Sequence, residues 1–255
     1  MRSEVVERLL SINREFYQSF ADPFRATRGK LQPGVARAIE TVNPDANLLD
    51  LGCAHGLLAE ELAGRGHSGT YVGLDSSQPL LDSAPEHLHP PQYQFALADL
   101  GIVEWIPIAR SLLTGRATHE QIPVEKPALF DWIFAFAVVH HIPSSNLRQS
   151  TVAAIRTLLT SNGRVAVSVW DFLSSARLRE RVVAWDTVGV NQEDVGEGDY
   201  LVDWREGGNG VRYVHHFGDD ELRDLAEKSG FRVLREFRSD GERGQLGEYQ
   251  IWEVA

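Results

Sequence analysis

A chain of 255 residues with 43% hydrophobic and 24% charged side chains has the balance of an ordinary globular protein and is long enough to bury a core unaided. Its single cysteine, Cys53, excludes an intramolecular disulfide, its net charge of −11 argues against coating nucleic acid by charge alone, and its longest apolar run, residues 132–139, is far short of the ~20 residues a membrane helix needs. Residues 1–10 are charged and lack the apolar core of a secretory leader, so the expected location is the cytoplasm, with no membrane contact.

Residues 1–42 read as helical, broken at Pro23 and at Pro33-Gly34. From there short apolar runs alternate with helical stretches. Strands are expected at 47–51, 71–74, 93–97, 131–138 and 164–169. Helices are expected at 57–63, 79–84, 147–159, with Asn162-Gly163 as stop signal, and 221–228, closed by Gly230. Residues 231–237 and 248–254 form a last strand pair, antiparallel because only a short polar stretch joins them. This alternation predicts one α/β domain over 1–255: a doubly wound, mostly parallel seven-stranded sheet with a helical N-terminal cap. Three segments break the rhythm, and all are expected as caps or lids at the carboxyl ends of the strands, where such sheets bind ligands. They are 1–42, an insertion at 100–128, and the connection 172–216.

The strongest chemical signal is the run Leu48 to Gly56, an apolar strand entering a small-residue turn that opens a helix. Gly52 and Gly56 let backbone approach a ligand, and the helix start offers free N–H groups. Asp75, 23 residues beyond Gly52, stands where a carboxylate takes both hydroxyls of a ribose. The turn lacks the Gly-x-Gly-x-x-Gly spacing of dinucleotide sites. Asp50 just before it disfavours a pyrophosphate and suits a sulfonium and an α-amino group. Asp99, after the third strand, is open to two readings: an adenine amino contact, which its position favours, or a helix N-cap. Ser76 and Ala137 complete the candidate cofactor contacts. His140-His141 invites a metal reading. It is set aside because adjacent strand residues face opposite ways and no third ligand is evident, so no metal is expected. His140 stays a candidate shaping residue near the sulfonium end of the cofactor, beside a purely structural role.

Together these residues resemble the class I S-adenosylmethionine-dependent methyltransferases. Asp50-x-Gly52-x-x-x-Gly56 matches their first motif, Asp75 the second-strand acid and Asp99 the third motif. Residues 138–143 look like the fourth motif, and 159–164 like the turn before strand five. The resemblance covers about residues 45–170 and implies S-adenosyl-L-methionine as cofactor. Ala54 departs from a usual glycine and His55 from a frequent asparagine, which keeps alive a third reading, a non-catalytic partner subunit.

A narrower resemblance is to the tRNA wobble-uridine carboxymethyl methyltransferases. It rests on Asn13-Arg14-x-Phe16-Tyr17-x-x-Phe20-Ala21-x-x-Phe24-x-x-Thr27-Arg28, on 198–204 and on 212–217. Asp203 departs from the usual proline, and His215-His216 from a Tyr-His-Leu pattern. That likeness implies a methyl ester on a carboxymethyl group of tRNA and leaves room for an activating protein partner. The alternative is a small molecule with a carboxylate, hydroxyl or amine, which the −11 charge favours. A carboxylate, with pKa near ~4, needs no general base, only placement. Arg28 and Arg212 are the candidates to grip a carboxylate, of the acceptor or of the methionine moiety, beside a reading as surface arginines. Tyr17, Tyr213 and His215 are candidate walls or core residues, and Trp170 or Trp204 a candidate stacking surface or ordinary core, the core reading being favoured for Trp170. Arg177, Arg179 and Arg181 with Arg232, Arg235, Arg238 and Arg243 read as a phosphate rim or as solvated faces.

Overall fold

The computed structural model describes residues 1–102, 104–115, 129–241 and 243–255. The chain opens with α1 (Ser3–Ser19), α2 (Ala21–Ala26) and α3 (Pro33–Ala38). The sheet then builds through β1 (Leu48–Leu51), α4 (Leu57–Gly64), β2 (Tyr71–Asp75), α5 (Gln78–Leu81), β3 (Tyr93–Leu97), α6 (Trp105–Thr114), β4 (Phe130–Phe136), α7 (Ser145–Arg156) and β5 (Leu159–Trp170). Next come α8 (Ala176–Arg179), β6 (Val182–Val183), β7 (Asp199–Trp204) and β8 (Gly210–His215). The chain closes with α9 (Glu221–Lys228), β9 (Phe231–Ser239) and β10 (Gly247–Val254).

Seven strands form one sheet in the order β3-β2-β1-β4-β5-β10-β9. Neighbours from β3 to β5 run parallel, and β10 is antiparallel to both β5 and β9. The expected doubly wound sheet is therefore the fold. β1 and β2 are buried at every position, which explains their unbroken apolar sequence. On one face Trp105, Val152, Ile155, Leu222 and Leu225 close a core; on the other Val35, Ala38, Leu58 and Leu62 do so.

Three expectations change. The segment 100–128 is, in its described part, a core crossover and not a lid. The order β3-β2-β1-β4 makes the chain cross two strands between β3 and β4, and α6 does so with Trp105 and Ala109 fully buried. The rest of that expected insertion, 116–128, lies outside the described residues. β5 begins five residues before the expected 164, because Leu159 already pairs with Phe130, and a register shift between Phe130 and Trp132 absorbs the irregularity.

The connection 172–216 holds a second, three-stranded antiparallel sheet, β6-β7-β8. Val5, Leu9 and Ile12 of α1 pack on it against Trp185, Leu201 and Tyr213. The free edge of β8 is closed by Asn13. The Tyr213 N–H donates to Asn13 Oδ1 at 2.8 Å, and Asn13 Nδ2 donates to Tyr213 O at 3.1 Å and to His141 O at 3.2 Å.

A buried charged knot ties this sheet to α9. His215 Nδ1 lies 2.8 Å from Asp199 Oδ1, and its Nε2 lies 2.8 Å from Glu221 Oε1. Arg148 donates to Ile142 O at 3.1 Å and reaches Glu221 at 3.5 Å. Burial works against all three titrating charges. Their mutual hydrogen bonds outweigh it, holding His215 above its ordinary pKa and Asp199 and Glu221 below theirs. A raised imidazole contributes stability that is complete below its unfolded pKa of about 6.5 and is lost as pH climbs through the folded value. The depressed carboxyls contribute above about pH 4 and lose that contribution on acidification. Denaturant unfolding of the protein and of His215→Gln should therefore differ most between about pH 5 and 6.5, with the gap narrowing at alkaline pH. A gap that stays constant to about pH 9 contradicts a charged His215.

Candidate active site

A cavity opens at the carboxyl ends of β1, β2, β4 and β5 and is roofed by α1, α2 and the segment after them. In the turn after β1, Gly52 has φ +76°, and a Cβ there would meet Val138 Cγ2 at 2.4 Å. Ala54 takes φ +49°, a left-handed conformation costing an L-residue of order 1 kcal/mol. Its N–H donates to Asp75 Oδ2 at 2.8 Å, and the Ser77 N–H donates to Asp75 Oδ1 at 2.9 Å. Asp75 is 8% exposed; burial pushes its pKa up against those N–H bonds. Each oxygen keeps a further lone pair. Gly52, Ala54, Asp75, Ser76, Asp99 and Ala137 all line the cavity.

Asp50 and Gly56 do not line it. Asp50 is buried behind the turn, where the Tyr71 hydroxyl donates to it at 2.5 Å. Burial, opposed by that bond and reinforced by Asp75, pushes it up to about 7. Held behind the turn by Tyr71 with its pKa raised, it is not the cavity-facing charge the sequence suggested. Gly56, at φ +77°, starts α4, and a Cβ there would meet the Phe95 ring at 3.2 Å, so its smallness serves packing. Asp99 is no helix N-cap. Oδ1 accepts the Gly101 N–H at 2.8 Å, and Oδ2 pairs with Arg14 of α1 at 2.7 Å. Arg14 lines the cavity and had been given no role. No sequence spacing links it to Asp99, 85 positions away.

The opposite half of the cavity is cationic. Arg212 is 4% exposed and boxed by the rings of Phe16, Trp204 and Trp170, at 4.9, 5.1 and 5.4 Å from its guanidinium carbon. Its Nε has no hydrogen-bond partner, and among the described residues no carboxylate lies within 4.0 Å of it. Arg28 lies over Phe24 at 4.9 Å, and its guanidinium bonds to the oxygens of Thr27. Burial, and next to it the repulsion of Arg212, lowers its pKa even though Tyr17 opposes the shift.

His140 and His141 sit on a 3-10 turn, Val139–His141, and not on the strand. The opposite-face argument against a metal therefore does not apply, and the rings stand 4.4 Å apart on one cavity wall. Among the described residues no three His, Cys, Asp or Glu side chains converge as metal ligands. His140 is 1% exposed, and its Nδ1 lacks a partner. Burial, then His141 and Arg212, hold it well below 6.5; burial and Arg212 push His141 down to about 4. Both rings are thus neutral near pH 7. His141 Nδ1 lies 2.9 Å from Tyr213 O, and Tyr17 Oη lies 2.9 Å from His141 Nε2.

Trp170, for which the sequence favoured a core role, lines the cavity, whereas Trp204 lies behind Arg212 and donates to Glu206 O at 2.6 Å. Tyr213 and His215 are not cavity walls: their side chains bond Asp199. Of the surface arginines, Arg181 pairs with Glu206, Arg232 with Glu253 and Arg238 with Asp171. No described helix is long and apolar enough to cross a membrane.

Comparison with known proteins agrees with this layout. A family profile described as methyltransferase domain matches residues 24–236. A protein of Encephalitozoon cuniculi named as a methyltransferase is 30% identical over 105 residues, 41% of this chain, and the chain spans 46% of that relative. A trans-aconitate 2-methyltransferase of Variovorax paradoxus is 28% identical over 224 residues, covering 78% of this chain and 82% of that enzyme. A SAM-dependent methyltransferase structure from Methanosarcina mazei superposes with a TM-score of 0.61 at 18% identity, covering 88% of this chain and 98% of the other. With a parallel sheet in this order, an acid closing the second strand and a profile match across most of the chain, the protein belongs to the methyltransferase domain family.

Proposed function

We propose that the chain transfers a methyl group from S-adenosylmethionine to a carboxylate oxygen, forming a methyl ester. When bound, S-adenosylmethionine supplies an electrophilic methyl on a cationic sulfur. The acidic half of the cavity fits it. Asp75 has lone pairs to spare for ribose hydroxyls, and the Asp99 to Gly101 turn would border the adenine. Gly52 and Ala54, with Arg28 opposite, would flank the methionine end. Ala54 already holds the turn conformation, so the alanine that suggested a non-catalytic subunit fits an enzyme equally well.

Arg212 carries the acceptor assignment. A buried guanidinium with no anion is costly, and a bound carboxylate relieves that cost with two charge-assisted hydrogen bonds. Two converging cations oppose an amine acceptor. A hydroxyl acceptor would need a base, and His140 and His141, both with lowered pKa, are poor ones. The reaction cancels the charge on the nucleophile, so Arg212 binds the acceptor more strongly than the ester. Its contribution is placement in line with the methyl, and the neutral product leaves more readily. A relative whose name specifies trans-aconitate, a carboxylate, supports this chemistry, and the −11 charge favours a small molecule. A carboxymethyl uridine in tRNA is the second reading. It is favoured because Tyr17, Phe24, Arg28 and Arg212, from the two segments that resemble the tRNA enzymes, all line the cavity.

Calorimetry should show S-adenosylmethionine binding and no NAD binding. Asp75→Ala should weaken the former roughly 10- to 100-fold by removing charge-assisted ribose contacts of about 1.5–3 kcal/mol. NAD binding without S-adenosylmethionine binding would end the assignment.

For the acceptor, purified protein would be assayed with labelled S-adenosylmethionine against small carboxylates including trans-aconitate, and separately against tRNA carrying carboxymethyl uridine. Arg212→Met should reduce kcat/KM by roughly 100-fold, about 3 kcal/mol, with cofactor affinity retained. Unchanged turnover by Arg212→Met would remove the carboxylate reading. Label in tRNA alone would select the second reading.

A further inference from the structure

Tyr17 lies between the two cationic positions. Its ring is edge-on to Phe16 at 5.0 Å and to Phe24 at 5.3 Å, and these are the rings beneath Arg212 and Arg28. Where the phenol proton points decides what Tyr17 can offer either guanidinium, and the surrounding bonds fix it. Tyr213 O is a carbonyl and only accepts, so His141 Nδ1 must carry the hydrogen of their 2.9 Å contact. A neutral imidazole has one N–H, so Nε2 is bare. The hydrogen in the 2.9 Å contact between Tyr17 and Nε2 therefore belongs to the phenol. Asn13 leaves this arrangement no freedom: the Tyr213 N–H fixes its oxygen, which aims its NH2 at Tyr213 O and His141 O. Below Tyr17, the Ser77 hydroxyl donates to the Tyr17 main-chain oxygen at 2.8 Å.

We propose that Tyr17 and His141 form a positioning pair for Arg212: His141, held as its Nδ1–H tautomer, accepts the hydrogen bond of the neutral phenol, so the Tyr17 oxygen offers Arg212 only lone pairs and steadies the guanidinium without neutralising it. This rests on the reading of Arg212 as the acceptor's anchor. The electrostatics agree. Tyr17 and Arg212 line the same cavity and share the Phe16 ring, and burial raises the Tyr17 pKa while the nearby charge of Arg212 pulls the other way. A carboxylate in place of the phenol would hold the guanidinium as well but would cancel its charge. A neutral oxygen leaves the full charge for the acceptor. His141 thus acts through Tyr17, and Tyr17 through Arg212; neither takes a proton from the acceptor.

Two measurements test the pair. In a long-range nitrogen–proton NMR spectrum of histidine-labelled protein, His141 should appear as the Nδ1–H tautomer, the form less populated in free histidine. An Nε2–H signal overturns the proposal whatever the acceptor is, so this result is separable from failure of the carboxylate reading. In steady-state kinetics with trans-aconitate as probe, Tyr17→Phe should lower kcat at least about tenfold. KM for the acceptor, cofactor Kd and Tm should change little, because the guanidinium stays but loses its alignment. His141→Leu should match Tyr17→Phe, whereas His141→Gln, whose side-chain oxygen can accept the phenol proton, should recover most of the rate. A loss confined to KM or Tm, or equal loss in the Leu and Gln variants, overturns the positioning role.

Discussion

The site depends on how one buried amide, that of Asn13, completes the edge of a strand. β8 ends a three-stranded sheet, and an unpaired strand edge must find partners for its N–H and C=O groups. Asn13 supplies both at Tyr213, acting as a one-residue surrogate strand. Residues adjacent on a strand point to opposite faces, so anchoring Tyr213 sends its side chain to Asp199 and that of Arg212 into the cavity. The same amide holds the carbonyl of His141. Helix, second sheet and histidine turn therefore meet at one point; one helical turn after Asn13, Tyr17 reaches the cavity wall and Phe16 lies beneath Arg212.

That anchoring separates charge within the cavity. The half over β1 to β3 is acidic, with Asp75 held by backbone N–H groups and Asp99 paired with Arg14. The half between α2 and β8 is cationic and aromatic, and its histidines are kept neutral by burial and by Arg212. A cationic donor and an anionic acceptor suit these halves, and a transfer between them cancels both charges. Where the charges disappear along the reaction, exclusion of water does not oppose it, and the protein's task becomes alignment.

The main sheet was legible because its central strands, such as β1 and β2, are buried on both faces and read as continuous apolar runs. The turn from Gly52 to Gly56 and Asp75 were legible because covalent spacing alone brings them together. What stayed hidden was decided by tertiary partners. Strands β7 and β8 lack a clean two-residue alternation, and the Gly207-Gly208 hairpin signal that parts them was masked by its place in a long connection. The crossover role of α6 follows only from a strand order that no local pattern encodes. Asp50 matches the family motif, yet a hydroxyl 21 residues away holds it behind the turn. The histidine pair was placed on a strand because the apolar run continues to Val139, although Ala137 with φ +57° ends the strand before it. Arg28 and Arg212, 184 positions apart, share one cavity; resemblance singled them out, while nothing in their own neighbourhoods required it.

The central claim is that the acceptor is a carboxylate, and the chemistry of the product tests it most directly. Protein incubated with S-adenosylmethionine labelled in the methyl group and with the acceptor panel would be treated with mild base, and volatile methanol collected. An ester releases its methyl as methanol under those conditions, whereas an ether or a methylamine keeps it. The transferred label is expected to be recovered as methanol. Label that is transferred but survives base would contradict it and move the acceptor to oxygen or nitrogen chemistry that Arg212 does not explain.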